Sequence, residues 1–162
     1  MTGHEGAVSV VRSRVPDAAL DVRRAVFVEG QGVAEERELD GKDAEATHFL
    51  AREGDDVVGT ARLRELGESD GDALVEPDAV LGNGTPVGKV ERVAVRESRR
   101  GEGWGRRLMA AIEDESRERG HAVLVLHGQT RVEGFYERLG YETVSDVFAE
   151  AGMPHVEMVT RL

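Results

Sequence analysis

The chain has no cysteine. That excludes disulfides, thiolate metal sites and a cysteine nucleophile. Lysine is nearly absent: Lys42 and Lys89 are the two, and every other cation among the 21 basic residues is arginine. Positive charge is scarce overall, because 32 acidic residues leave a formal net charge of −11. Duplex nucleic acid is thereby disfavoured as a partner, since its affinity depends on surplus Lys and Arg that neutralise phosphates. Long apolar runs are missing too, and nothing approaches the roughly 18–20 residues of a membrane span. Met1–Gly6 lacks the basic and apolar regions of a signal peptide, so a cytoplasmic location without a membrane is expected. The five histidines are scattered without a paired ligand spacing, and no metal is expected. An acid-rich, lysine-poor composition fits a cytosol with molar salt, where the Debye length falls to about 3 Å and self-repulsion is screened. A GC-rich genome that replaces lysine by arginine gives the same pattern.

What is present points to one compact domain over residues 1–162. Ala7–Val15 reads as a first strand, and Pro16-Asp17 suits a helix start with Leu20, Val26 and Phe27 on its inner face. Residues 29–45 read as a loop with room for a short helix. Thr47–Arg52 and Val57–Glu65 flank Glu53-Gly54-Asp55-Asp56, a hairpin signal. Leu66–Gly88 reads as a long acidic loop. Lys89–Val95 is a fourth strand. Trp104–Arg119 is a helix with Trp104, Leu108, Ala111 and Ile112 on one face, stopped by Gly120. Ala122–Leu126 is a buried strand, 130–138 a helix ending near Gly140, and Tyr141–Phe148 and His155–Leu162 a final strand pair. The order βα(α)ββ–βα–βα–ββ implies an α/β (α+β) fold, a mixed sheet with helices on its two faces.

The richest stretch lies between the fourth strand and the long helix: Arg99-Arg100-Gly101-Glu102-Gly103-Trp104-Gly105-Arg106-Arg107. Three glycines at alternate positions allow a tight turn and close approach of backbone N–H groups to a ligand. A helix N-terminus adds unpaired donors and a partial positive charge, and four arginines add full charges. That arrangement suits a phosphate or pyrophosphate. The dinucleotide fingerprint G-x-G-x-x-G fails at Arg106, and no Gly-Lys-Ser/Thr exists for a P-loop.

Arg100-x-x-Gly103-x-Gly105 resembles the acetyl-CoA-binding motif (Q/R-x-x-G-x-G/A) of the GNAT N-acetyltransferase superfamily. Gln129–Tyr141, with Phe135-Tyr136-Glu137-Arg138-Leu139-Gly140-Tyr141, resembles its late helix and turn. Val26–Val33, Glu38-Leu39-Asp40, Ala46–Phe49 and Phe148–Met158 resemble the ElaA-like branch. The likeness covers nearly the whole chain. Two departures stand out. Related sequences often read V-F-V-x-E-Q where this chain has Gly30 before Gln31, so a carboxylate of the acceptor pocket is missing or shifted to Glu29. Trp104 is bulky where smaller residues are usual; it or residues 66–85 could shape an acyl pocket.

The resemblance implies a GNAT fold, a mostly antiparallel sheet of about seven strands flanked by about four helices and splayed between strands 4 and 5. It implies transfer of an acetyl group from acetyl-CoA to a small amine or peptide amine by direct attack, since no cysteine can relay it. A longer acyl-CoA as donor, or a non-catalytic acyl-CoA sensor of the same fold, are the rival readings. A homodimer is compatible with either. The pyrophosphate would meet Arg99, Arg100, Gly101, Glu102, Gly103, Trp104, Gly105 and Arg106. Val93, Ala94 and Val95 would lie along the pantetheine, with a main-chain N–H for the oxyanion. Tyr136, placed by the family beside the sulfur, is the candidate general acid. Glu91, two residues before Val93 and so on the same strand face, is the candidate base, or else a salt-bridge partner of Arg62. His48 and His155 are the other base or acceptor-side candidates, with Glu29 and Gln31. Gln129 would bond the pantetheine or cap the helix that follows it.

Overall fold

The computed structural model describes residues 6–12, 14–81 and 86–162. Expectations for Met1–Glu5, for Ser13 inside the first strand, and for 82–85 lie outside the described residues. The rest group into two compact units, each built from two separate stretches of chain.

The first unit takes the described residues up to Arg64 together with Glu91–Ile112. Strand β1 (Ala7–Val11) pairs antiparallel with β2 (Thr47–Glu53), which pairs antiparallel with β3 (Asp56–Leu66) across the expected Gly54-Asp55 turn. Next to β3 in strand order comes β4 (Val87–Val95), and Arg96 N–H donates to the Val58 carbonyl at 2.8 Å. Helix α1 (Asp17–Arg23) starts after Pro16, with Asp17 favourable in its first turn. It widens directly into a π-helical segment, Arg24–Glu29, whose exit is fixed by the Gly30 N–H donating to the Ala25 carbonyl at 2.9 Å. A Cβ on Gly30 would lie 2.6 Å from the Val26 carbonyl oxygen. The glycine that departs from the family pattern is thus demanded by the backbone of this turn. Helix α2 (Glu35–Glu38) is the short helix foreseen within 29–45. Val22, Val26 and Ala94 form an apolar cluster with Phe27 and Val57 against it.

The second unit takes Glu65–Val90 and Glu113–Leu162. Here the first half of β4 pairs parallel with β5 (Val123–Gln129), in register from Val87/Val123 to Val90/Leu126. Strand β5 pairs antiparallel with β8 (Met153–Arg161) along its whole length. The region read as one strand over Tyr141–Phe148 is two short ones, β6 (Glu142–Thr143) and β7 (Phe148–Glu150), each paired with β8. The break has a local cause: the Ser145 hydroxyl accepts from the Glu157 N–H at 2.9 Å, replacing a ladder bond with a side chain. The described residues therefore contain eight strands, where about seven were expected. The stretch expected as a long loop after Leu66 also carries a 3₁₀ turn (Glu68–Ala73) and α3 (Pro77–Leu81), and β4 starts two residues early. Leu66, Leu74, Val80, Val87 and Val125 bury together there, which is why the segment is ordered.

Helix α4 (Trp104–Glu118) follows the glycine loop as its period required, with Trp104, Leu108 and Ile112 buried. Helix α5 (Glu133–Arg138) follows a 3₁₀ turn at Thr130–Val132. With α1 to α3 the α-helices number five among the described residues, against about four expected. None is long and apolar enough to cross a membrane.

Candidate active site

In the first unit, Gly101 and Gly103 adopt φ of +80° and +88°, the left-handed region that side chains resist, and no atom stands within 4 Å of where their Cβ atoms would be. The Arg107 N–H donates to the Gly103 carbonyl at 3.1 Å, so the N–H groups of Trp104, Gly105 and Arg106 precede the first intrahelical bond of α4. Backbone donors left open at the start of a 15-residue helix fit an anionic diphosphate. Arg100 and Arg106 are exposed there. Arg100 Nε donates to the Val95 carbonyl at 3.3 Å. The other expected ligands are differently occupied. Arg99 pairs with Glu53 at 2.6 Å and with Glu102 at 2.9 Å. Glu102 also accepts the Trp104 indole N–H at 2.9 Å, and the indole hydrogen bond and Arg99 together hold its carboxyl below the usual range.

Along β4, Arg92 takes φ +57°, an uncommon conformation for a residue with a side chain. Strand alternation does not carry through such a residue, so the inference that Glu91 and Val93 share a face loses its basis. Ala94 is buried, and Val93 and Val95 are half-buried. Glu91 accepts from Arg62 Nε at 2.9 Å and from Arg64 Nε at 2.7 Å and Nη2 at 3.1 Å. The salt bridge with Arg62 offered by the sequence is therefore formed, with a second guanidinium added.

Glu91 is one end of a buried charge network that sequence reasoning missed. Arg62, fully buried, also donates to Asp40 at 2.6 and 2.9 Å and to Asp43 at 3.0 Å. Arg23 joins Asp43 at 2.7 Å to Glu38 at 2.9 Å, and Arg92 reaches Glu38 at 2.8 Å. Burial would raise the Asp40 carboxyl, but Arg62 and Arg92 hold it at about 2. Asp43 is lowered likewise by Arg23 and Arg62 against the opposing effect of burial. The available signal was Arg62 and Arg64 alternating with Ala61 and Leu63 in a strand whose middle is buried. His48 is buried among these groups. Its Nε2–H donates to the Asp43 carbonyl at 2.9 Å, and burial lowers its pKa, so it stays neutral. Glu29 is exposed at the end of the π-helix and Gln31 is half-buried.

In the second unit, Tyr136 on α5 is buried, with its ring edge-on to Phe135 at 5.0 Å and to Tyr141 at 5.9 Å. Burial alone pushes its phenol up to about 12. Gln129 ends β5 and its side-chain oxygen accepts from Arg131 at 2.8 Å; the turn after it has no side-chain cap. His155 is buried, its Nδ1 donates to the Met153 carbonyl at 2.8 Å, and it stacks with Phe148. A second cluster also escaped the sequence: His127 places Nδ1 2.9 Å from Glu150 and Nε2 2.7 Å from Glu157. The buried Glu157 carboxylate accepts the Val75 and Glu76 N–H groups as well. Lys89 Nζ donates to the Ala73 carbonyl at 3.2 Å and is 7 % exposed.

This glycine-opened helix, following a strand of a mixed sheet, agrees with the family resemblance drawn from the sequence. Residues 21–162 match the acetyltransferase (GNAT) domain family, and the chain belongs to it. A provisionally named acetyltransferase of Bacillus subtilis is 38 % identical over 143 residues, covering 86 % of this chain and 85 % of that one. Protein ElaA of Escherichia coli is 33 % identical over 144 residues, covering 87 % and 84 %. Its crystal structure superposes with a TM-score of 0.73 over 96 % of this chain and 99 % of that one, at 27 % identity. The structure of a provisionally named N-acetyltransferase from Lactobacillus plantarum gives a TM-score of 0.78 at 30 % identity, covering 96 % and 99 %.

Proposed function

We propose that this protein is an N-acetyltransferase that transfers an acetyl group from acetyl-CoA directly to a primary amine. The observation that carries the reading is the loop at Gly101–Gly105, whose two left-handed glycines leave backbone N–H groups open at the start of α4. Those donors hold the pyrophosphate, with Arg100 and Arg106 adding charge. Val93, Ala94 and Val95 make main-chain contacts with the pantetheine arm, and an N–H of this stretch stabilises the developing oxyanion. The amine nitrogen attacks the thioester carbon, and the carbonyl electrons move to oxygen. Collapse of that intermediate breaks the C–S bond, and the sulfur leaves with the bonding pair. Tyr136 donates to it. A phenol at about 12 is a weak acid toward a thiol near 8.5, so a hydrogen bond to the departing sulfur supplies more than complete proton transfer does.

The amine's proton leaves through water. Glu91 orients that water, its carboxylate being already engaged by two guanidiniums. Glu29, Gln31, His48 and His155 are the acceptor-side residues of this reading, and each histidine is tied to a backbone carbonyl. Gln129 reaches the pantetheine. One observation favours a second reading, a non-catalytic acyl-CoA-binding module: Glu91, His48 and His155 are each engaged by a partner.

The test is a library of amines, amino acids and peptides, with CoA release followed in molar KCl. Release that depends on one amine class supports the enzyme. Tight CoA binding with no release on any acceptor replaces it with the binding module, and no CoA binding removes both.

A further inference from the structure

Glu102 stands inside a loop that reads as an anion site, where its charge alone would repel the ligand. The structure gives it a different task. Its Oε1 accepts from Arg99 Nε and from Trp104 Nε1, both at 2.9 Å. Arg99 is anchored at its other end to Glu53 on β2 at 2.6 Å. The Trp104 ring carries the Arg107 guanidinium 4.9 Å from its centroid and that of Arg99 at 5.8 Å. It covers Gly6 so closely that a Cβ there would stand 1.9 Å from the ring, and it is 4 % exposed. Glu102 therefore ties the two sides of the Gly101–Gly103 turn, Arg99 before it and Trp104 after it, to a ring that is itself packed. Two left-handed glycines give this stretch conformational freedom to lose, so holding it in advance removes an entropy cost that a bound anion would otherwise meet.

We propose that Glu102 is a positioning residue: through Arg99 and Trp104 it latches the loop in its anion-binding shape, and so strengthens binding of the diphosphate its own charge opposes. Arg99 belongs to the latch and not to the ligand set. The inference rests on the acyl-CoA reading above.

Charge and latch predict opposite signs, which makes the test decisive. CoA affinity is measured by calorimetry for the wild type, Glu102→Gln and Glu102→Ala, and the emission of Trp104, the single tryptophan, is recorded without ligand. Glu102→Ala should weaken CoA binding about tenfold, the size of one lost charge-assisted hydrogen bond. Glu102→Gln keeps an oxygen for the indole N–H and should fall between. Trp104 emission should shift to the red in Glu102→Ala as the ring loosens. Glu102 is 46 % exposed, so both variants should fold, and melting curves check it. Binding as tight as the wild type's, or tighter, in both folded variants overturns the latch. A wild type that binds no CoA overturns the acyl-CoA reading and the latch with it, and is seen before any variant is made.

Discussion

Tyr136 carries the sharpest expectation at the scale of single residues. Its phenol, pushed up to about 12 by burial, is protonated at neutral pH. Tyr136→Phe keeps the ring and its edge contacts with Phe135 and Tyr141. It should lower kcat by about 10²-fold, the size of one lost hydrogen bond to a developing charge, and leave CoA affinity nearly unchanged. Wild-type turnover in that variant would make the ring part of the wall. Which residues the sequence exposes depends on what kind of interaction defines them. The glycine loop was legible because φ near +80° admits few alternatives to glycine. Arg62 was named only as a partner for Glu91, and its ties to Asp40 and Asp43 join segments 19 to 22 residues apart, which no local pattern encodes. Gly30 looked like a defect in a motif; the 2.6 Å approach to the Val26 carbonyl could be learnt only from the turn itself.

Among elements, those defined by period were legible and those defined by side-chain bonds to backbone were not. Of the α4 stripe written in the sequence, Trp104, Leu108 and Ile112 are buried and Ala111 is half-buried. The break between β6 and β7 is set by the Ser145 hydroxyl, and the order of Leu66–Leu81 by burial of Leu74 and Val80. The same segment is pinned at Val75 and Glu76 by Glu157, whose other partner is His127. Carboxylates accept at both ring nitrogens, so His127 must donate twice and is an imidazolium. Burial alone would lower its pKa, but the bonds to Glu150 and Glu157 raise it above the ordinary value near 6.5. A cation whose pKa is raised by folding adds stability that is complete below about 6.5 and is lost as pH rises through the raised value. Urea unfolding from pH 6 to 9 should therefore show falling stability in the wild type and a flatter profile in His127→Gln. Equal slopes would mean that the cluster does not hold this proton.

For the molecule as a whole, the net charge of −11 sets the response to salt. Arg23, Arg62, Glu38 and Glu157 are spent in buried pairs, and the acidic surplus faces solvent, where molar salt screens repulsion within about 3 Å. Melting temperature should climb by several degrees or more from low to molar KCl. A flat or falling trend would favour the GC-rich-genome account of the missing lysines. Those lysines have a second consequence. Lys89 is withdrawn from solvent onto the Ala73 carbonyl, which leaves Lys42 as the one ε-amine at the surface. An amine acetyltransferase, the function proposed above, would thereby be almost blind to itself: self-modification would have one side chain to find, and amine-directed chemical labels would report the position of Lys42 alone among the side chains.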